Sequence, residues 1–162
     1  MILINFDGKI KGDSQLDKHT DWVNITSAQL GVGRSISSSG SGKDRDLSTP
    51  SFSEVSISKH TDVASTELFA QAIYGKKLCE KAVIHFVQTS GEGASQVYME
   101  WEMHEPIISS FSISSGGERP DETVTINFTK VLMKYSQFDS GGKQVQATPK
   151  GWDLKTGKPF NG

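Results

Sequence analysis

The stretch GGERPDETVTINFTKVLMKY, residues 116–135, decides the fold because its apolar residues change phase halfway along. The first apolar series is Val124, Ile126 and Phe128, and the second is Val131, Met133 and Tyr135. Each series occupies alternate positions, which is typical of a strand that buries one face. One flat strand cannot bury both series against one core, because successive side chains point to opposite faces. The stretch therefore predicts a change of surroundings between Phe128 and Val131.

Short strands with the same alternation recur along the rest of the chain. The clearest pair is EKAVIHFVQ, residues 80–88, and QVYMEWEMHE, residues 96–105, which a turn joins into a predicted β-hairpin. Further strands are predicted over residues 2–6, 21–32, 51–60 and 107–114. Seven or more short strands with a single helix predict a mainly β fold, either a small barrel or a sandwich.

One segment has helical periodicity, and the predicted helix runs from Ser65 to about Lys76. Its apolar face is formed by Leu68, Phe69, Ala72 and Ile73. Ser65 or Thr66 suits the N-cap, and Gly75 suits the C-terminal end. We expect the apolar face to seal one open end or side of the β-structure.

Composition describes one globular domain over residues 1–162, with 35% hydrophobic and 22% charged residues. The net charge of −2 gives no electrostatic basis for binding nucleic acid or an anionic membrane. No segment reaches the roughly 20 apolar residues of a membrane span, so no membrane insertion is expected. The N-terminal residues 1–13 lack the apolar core of a leader and read as a first strand, so no cleaved signal is expected.

Residues 31–50 form an extended Ser/Gly-rich loop without a burial pattern. About twenty such residues inside a compact domain require a reason. Two explanations stay open: a disordered insertion, or a loop that becomes ordered against another surface.

No constellation of residues defines an active centre or a cofactor site. A G-x-S-x-G elbow is absent from the sequence, and the glycine-rich segments match no phosphate-binding pattern. The single cysteine, Cys79, excludes an internal disulfide and is interpreted as a buried structural thiol. His19 and His60 lie near predicted turns and are expected to be exposed, whereas His85 is expected to be a hydrogen-bonded packing residue.

One strand face nevertheless carries a candidate metal trio. Glu100, Glu102 and His104 alternate and therefore lie on one side of their strand. Such a trio suits a metal ion. Polar residues on a strand face are more often solvated or interfacial, however, and no second cluster of ligands in the sequence completes the site. The alternative function that this trio leaves open is a monomeric β-barrel hydrolase or metal-dependent enzyme.

The order of several motifs resembles one family along essentially the whole chain. The motifs are DGKIKG at residues 7–12, a strand that ends at Gly31 before the Gly/Ser loop, SKHTD at residues 58–62, a helix that opens at Ser65-Thr66, SGGERPDETVTINFTKV at residues 115–131, and GWD at residues 151–153. Together they are similar to the haemolysin-coregulated protein (Hcp) family, the tube protein of bacterial type VI secretion systems.

The resemblance implies a small β-barrel of two antiparallel sheets with one flanking helix. It further implies a non-enzymatic protein that forms homohexameric rings, which stack into the hollow inner tube and carry effectors in the lumen. The implied partners are other copies of the chain, the spike and sheath components, and secreted effectors. The implied location is the cytoplasm during assembly and the extracellular space or a target cell after export. An effector-specific adaptor with the same fold stays open as an alternative.

The resemblance also suggests roles for particular residues. The change of phase in residues 116–135 is explained by a β-bulge at Thr129-Lys130, by contact of the second apolar series with a neighbouring subunit or, across a bulge, with the other sheet, or by both a bulge and a partner. Candidate contacts within or between rings are Arg34, Lys43, Asp44, Arg45, Asp46, Val131, Met133 and Tyr135. Ser27 and Gln29 are candidates for the lumen wall, where small uncharged side chains suit a conduit.

Overall fold

The structure is a computed structural model that describes residues 1–38 and 45–162. Fifteen strands and one helix are formed by these residues. In chain order they are β1 (Ile2–Asn5), β2 (Val23–Ile25), β3 (Ser27–Gln29), β4 (Val32–Gly33), β5 (Ile36–Ser38), β6 (Arg45–Leu47), β7 (Ser51–Phe52), β8 (Val55–His60), α1 (Ser65–Tyr74), β9 (Lys81–Thr89), β10 (Ser95–His104), β11 (Ile107–Ser114), β12 (Asp121–Asn127), β13 (Lys130–Phe138), β14 (Gln144–Asp153) and β15 (Lys158–Phe160). No helix in this part of the chain is long and apolar enough to cross a membrane.

Two antiparallel sheets carry most of the fold. The large sheet has seven strands in the order β15-β14-β13-β10-β9-β1-β2, and the small sheet has four in the order β11-β12-β8-β3. Strands β9 and β10 pair along their length, which confirms the predicted hairpin. The prediction of a mainly β fold with two antiparallel sheets and one helix is confirmed.

The core lies between the inner faces of the two sheets. Its fully buried side chains come from both sheets and include Ile4, Ile84 and Met103 of the large sheet and Ile57 and Ile126 of the small one. Burial of a side chain of this size stabilises the fold by about 1.5–3 kcal/mol. The outer faces of the two sheets therefore point in opposite directions.

The change of phase in residues 116–135 marks a corner between the sheets. β12 ends at Asn127 in the small sheet, and β13 begins at Lys130 in the large sheet. The expectation that the second apolar series meets the other sheet is confirmed, because the two series belong to strands of different sheets. The expected bulge at Thr129-Lys130 is wrong, because residues 128 and 129 lie between two strands and not within one. A second corner lies at Thr26, between β2 of the large sheet and β3 of the small sheet.

The segment 31–50 contains more regular structure than its sequence indicates. β5 and β6 pair with each other to form a hairpin, in which Ile36 lies opposite Leu47. β4 pairs with β7 at the base of this segment. Its described parts thus pair with one another within the chain.

Helix α1 closes one side of the core as predicted, but only part of its apolar face is buried. Leu68 is fully buried, whereas Phe69 and Ile73 are 54% and 65% exposed. The helix ends at Gly75, which adopts the left-handed conformation with φ 61°. The N-cap is Ala64 and not Ser65 or Thr66, and the oxygen of the Asp62 side chain accepts a hydrogen bond from the Ala64 backbone N–H instead.

Candidate functional site

The outer face of the small sheet is covered by small uncharged polar side chains, and we call it the hydroxyl wall. Its members are Ser27, Gln29, Ser56, Ser58, Ser110, Ser112, Thr123 and Thr125. They lie side by side across four strands: Ser58 of β8 is opposite Ser27 on one side and Thr123 on the other. The alternate residues of the same strands, such as Val124 and Ile126, are buried in the core.

One hydrogen bond joins two members of the hydroxyl wall, and ionisable side chains appear at its ends. The Oγ1 atom of Thr125 lies 2.5 Å from the Oγ of Ser110. At one end of the wall the next cross-strand pair is ionisable, with Nδ1 of His60 2.6 Å from Oδ1 of Asp121. At the other end Glu54 accepts a hydrogen bond from the Ser109 hydroxyl. The face between these ends offers hydrogen bonds without a fixed charge.

The outer face of the large sheet is charged. Glu100 lies 2.9 Å from His85 and 3.4 Å from the Nζ of Lys134. Glu102 lies 2.8 Å from His104 and 3.5 Å from Lys81. Each carboxylate is therefore shared between an imidazole and an ammonium group.

The candidate metal trio is occupied by these ion pairs. Glu100 faces His85, whereas Glu102 faces His104, so the three side chains do not turn to a common point. Within residues 1–38 and 45–162, no three His, Cys, Asp or Glu side chains are placed to hold a metal ion together. The geometry thus gives the metal-enzyme alternative no site in the described part of the chain.

His60 lies in a different setting from His19 and His85. His60 is exposed, with 64% of its side chain accessible, as predicted. The prediction for His19 is wrong, because this residue is only 5% exposed and its ring packs against His85. The prediction for His85 is confirmed, since both of its ring nitrogens are hydrogen-bonded. Burial lowers the pKa of His19, whereas the hydrogen bond from His85 lowers the pKa of Glu100.

The second apolar series of residues 116–135 lies partly in the core and partly at the surface. Val131 is only 3% exposed and packs with the core, although it also lines the floor of a surface groove. Met133 and Tyr135 are 40% and 53% exposed on the same strand. A groove of 440 Å³ beside Met133 is otherwise lined mainly by Leu30, Gly31, Val32, Pro50, Phe52 and Trp152, with Arg34 and Lys150 as its charged residues.

The charged candidates of the 31–50 segment are only partly described. Arg34 and Arg45 are exposed, and Arg45 lies opposite Ser38 in the β5–β6 hairpin. Asp46 belongs to β6 and lies opposite Ser37. Lys43 and Asp44 lie outside the described residues.

The GWD motif has a structural explanation. A side chain at Gly151 would place its Cβ 2.1 Å from the carbonyl oxygen of Val131 and 2.8 Å from that of Phe160, so only glycine fits between these strands. Trp152 lines the groove, and the carboxylate of Asp153 accepts the backbone N–H of Lys155 in the following turn. The motif therefore holds β15 against β14.

Cys79 is buried, as predicted, at 6% exposure. Its thiol donates a hydrogen bond to the backbone carbonyl of Lys81. Burial raises the pKa of the Cys79 thiol to about 11, so this cysteine is not poised as a nucleophile.

Comparisons with known proteins define the class. The profile of the family described as "Type VI secretion system effector, Hcp" matches residues 3–135. This match covers more than half of the chain and places it among the type VI secretion tube proteins, a structural class and not an enzyme family. The chain belongs to the Hcp family.

Solved structures of similar fold agree with this assignment. A structure described as a type six secretion system protein is 24% identical, with 98% of each chain covered and a TM-score of 0.88. Hcp1 from Salmonella typhimurium is 24% identical, with 98% of this chain and 97% of that chain covered and a TM-score of 0.73. A type VI secretion system effector from Yersinia pestis is 19% identical over 94% of this chain and 99% of that one, with a TM-score of 0.72. The comparison with curated proteins gave no match.

Proposed function

We propose that this chain forms homohexameric rings that stack into the hollow inner tube of a type VI secretion system, with the hydroxyl wall lining the lumen. Membership of the Hcp family supports the tube. The observation that carries the orientation is the contrast between the two outer faces: the small sheet presents hydroxyl and amide groups, whereas the large sheet presents ion pairs.

The chemistry of the hydroxyl wall suits a conduit. A hydroxyl exchanges its hydrogen bonds with water at little net free energy, about 0.5–1.5 kcal/mol for each bond. A wall with fixed charges would attract cargo of the opposite sign and repel cargo of the same sign. The uncharged face that includes Ser58 and Thr123 lets proteins of either net charge lie in the lumen and leave it.

Exposed apolar side chains supply contact area between subunits. Met133 and Tyr135 lie on the large sheet, and Phe69, Ile73 and Tyr74 lie on the free side of helix α1, all at least 40% exposed. Burial of apolar surface contributes about 25 cal/mol per Å², and a stable interface commonly buries about 1,600 Å² in total. Two such groups on each subunit give a ring a different contact surface on each side.

Stacking of rings is assigned to the β5–β6 hairpin. Arg34 and Arg45, which are both exposed, provide charge for contacts between rings, together with Lys43, Asp44 and Asp46 of the same segment. Exposed ion pairs are each worth about 0–1 kcal/mol, so stacking is weak per contact and repeated many times. Such stacking allows both assembly in the cytoplasm and disassembly after export, in contact with sheath, spike and effector proteins. The protein acts without catalysis.

The mass of the purified protein tests the ring. Size exclusion with light scattering is expected to give six times the chain mass of 17.7 kDa, and electron microscopy is expected to show rings. The double variant Met133→Arg/Tyr135→Arg should reduce the mass, because two charges would be buried at the interface. Val145→Arg is the matched control, since Val145 is 63% exposed on another strand. A wild-type protein that remains a monomer at micromolar concentration would overturn the proposal.

A further inference from the structure

A loop of residues 12–22, which we call the flap, lies over the outer face of the large sheet. The flap is closed on itself by backbone hydrogen bonds from Gly12 to Asp21 (2.8 Å) and from Ser14 to Trp22 (3.1 Å). Its polar contact with the sheet is made by His19, whose Nε2 lies 2.8 Å from the Nδ1 of His85 on β9. The ring of Trp22 also packs against His85, with 4.6 Å between ring centroids.

The two imidazoles belong to a longer chain of hydrogen bonds. On the flap side, Nδ1 of His19 lies 3.2 Å from the backbone carbonyl oxygen of Asp17. On the sheet side, Nε2 of His85 lies 2.9 Å from the carboxylate of Glu100, which is 3.4 Å from the Nζ of Lys134. The chain therefore begins at a carbonyl oxygen and ends at a carboxylate, and both of these groups only accept hydrogen bonds.

This series of hydrogen bonds fixes how many protons the rings of His19 and His85 hold together. The Asp17 carbonyl requires N–H at Nδ1 of His19, and the Glu100 carboxylate requires N–H at Nε2 of His85. The bond between the rings requires one further proton, shared by His19 and His85. All three bonds are made only when the two rings hold three protons in total, which is one positive charge that faces Glu100.

A fourth proton breaks the arrangement. Both facing nitrogens would then carry N–H groups 2.8 Å apart, and neither could accept the other's hydrogen bond. Two imidazolium charges would lie side by side at a site where His19 is 5% exposed. The other charged groups that face the pair are Asp17 and Lys18 on the flap, Glu100 on β10 and Lys134 on β13. These groups are two carboxylates and two ammonium groups, so their charges cancel. No carboxylate is left over to neutralise a second imidazolium.

We propose that the flap is a proton-controlled cover of the large sheet, closed while His19 and His85 together hold three protons and open when they hold four. Opening bares Leu3 of β1, which is fully buried although it lies on the outer face beside His85. It also frees the chain that leads into β2, the edge strand of the large sheet. Burial lowers the pKa of His19 while the flap is closed, so a fall in pH favours the open form, in which this ring is solvated.

Hydrogen exchange of the wild-type protein tests the flap. If one proton drives opening, the open population of the flap rises about tenfold for each pH unit below the pKa of the pair. The amides of Gly12, Ser14 and Asp21 should therefore lose protection between about pH 7.5 and pH 5, after correction for intrinsic exchange, whereas the amides of β9 should not. Equal protection of the flap at both pH values would overturn the proposal.

Two variants and a spectroscopic measurement of the number of protons on the two rings complete the test. His19→Gln removes the titrating ring and should make flap exchange independent of pH, whereas His60→Gln, at the exposed histidine of the other sheet, should leave the pH dependence intact. Retained pH dependence in His19→Gln would contradict the mechanism. If that variant does not fold, ¹⁵N spectra of the wild-type imidazoles decide: the pair is expected to hold one more proton at about pH 5 than at about pH 7.5, and an unchanged number of protons would overturn the proposal.

Discussion

The Nζ of Lys59 lies 2.9 Å from the Oε2 of Glu122, and neither side chain is accessible to solvent. Lys59 also donates to Oδ1 of Asp62 and to the Ser65 hydroxyl at the start of helix α1. Glu122 accepts a second hydrogen bond from the Thr61 hydroxyl. This buried network joins the two middle strands of the small sheet to the first residue of helix α1.

Removal of one partner of the buried pair is expected to be costly. Lys59→Met should lower the free energy of unfolding by about 3–5 kcal/mol, because it leaves the buried carboxylate of Glu122 without its cationic partner. Glu122→Gln should cost less, because Lys59 keeps its ion pair with Asp62. The double variant Lys59→Met/Glu122→Leu should lose less than the sum of the two single losses. Urea unfolding measures these differences. Lys77→Ala, which breaks the solvent-exposed pair with Glu80, is the control and should cost less than about 1 kcal/mol. Similar losses for the exposed and buried pairs would contradict this assignment.

Gly151 is expected to tolerate no side chain. Gly151→Ala places a methyl group against the carbonyl oxygens of Val131 and Phe160 and should destabilise the protein by about 1–3 kcal/mol or detach β15. Gly91→Ala is the matched control, because no atom lies within 4 Å of the added methyl group. Thermal unfolding compares the two variants, and equal melting temperatures would contradict the explanation of the GWD motif.

Cys79 is expected to react only after unfolding. With a pKa of about 11, roughly one thiol in a thousand is ionised at pH 8, and burial excludes reagents as well. Reaction with a chromogenic disulfide should therefore be at least about 100-fold slower in buffer than in concentrated urea. A Ser140→Cys variant, with its new thiol in an exposed turn, supplies the accessible reference. Comparable rates for the two thiols in buffer would show that Cys79 is not protected.

The β5–β6 hairpin is expected to act between rings. Deletion of residues 38–46 should leave the six-fold mass unchanged and abolish tubes in electron micrographs, because it does not change the proposed ring contacts at Met133 and Tyr135. A second variant removes the charges without shortening the segment, by replacing Lys43, Asp44, Arg45 and Asp46 with serine. It should weaken tubes, most clearly at low salt. Loss of the ring itself on deletion would contradict this assignment.

Several elements could be predicted because the cause is local in sequence. The alternation of apolar and polar residues predicted the β9–β10 hairpin. The apolar spacing together with Gly75 predicted the end of the helix to within two residues. The hydroxyl wall was predicted only at Ser27 and Gln29, although hydroxyls alternate with core residues on all four strands of the small sheet. The same alternation could have identified the whole face.

Other features depend on residues that are distant in sequence. His19 and His85 are 66 positions apart, and Lys59 and Glu122 are 63 apart. Each pair meets only because of the strand order of a sheet or the docking of a loop, which alternation does not specify. The corner at Thr129 was visible as a change of phase, but a bulge within one sheet and a passage between two sheets produce the same pattern.

Spin-label distances in the assembled ring test the central claim most directly. In a six-fold ring, the distance between neighbouring equivalent sites equals their distance from the axis. Thr123→Cys places a label on the hydroxyl wall, and Lys81→Cys places one on the opposite outer face, both in a Cys79→Ser background. The account predicts a shorter distance between neighbouring labels at residue 123 than at residue 81. The reverse order, or no measurable distance at either site, would contradict it.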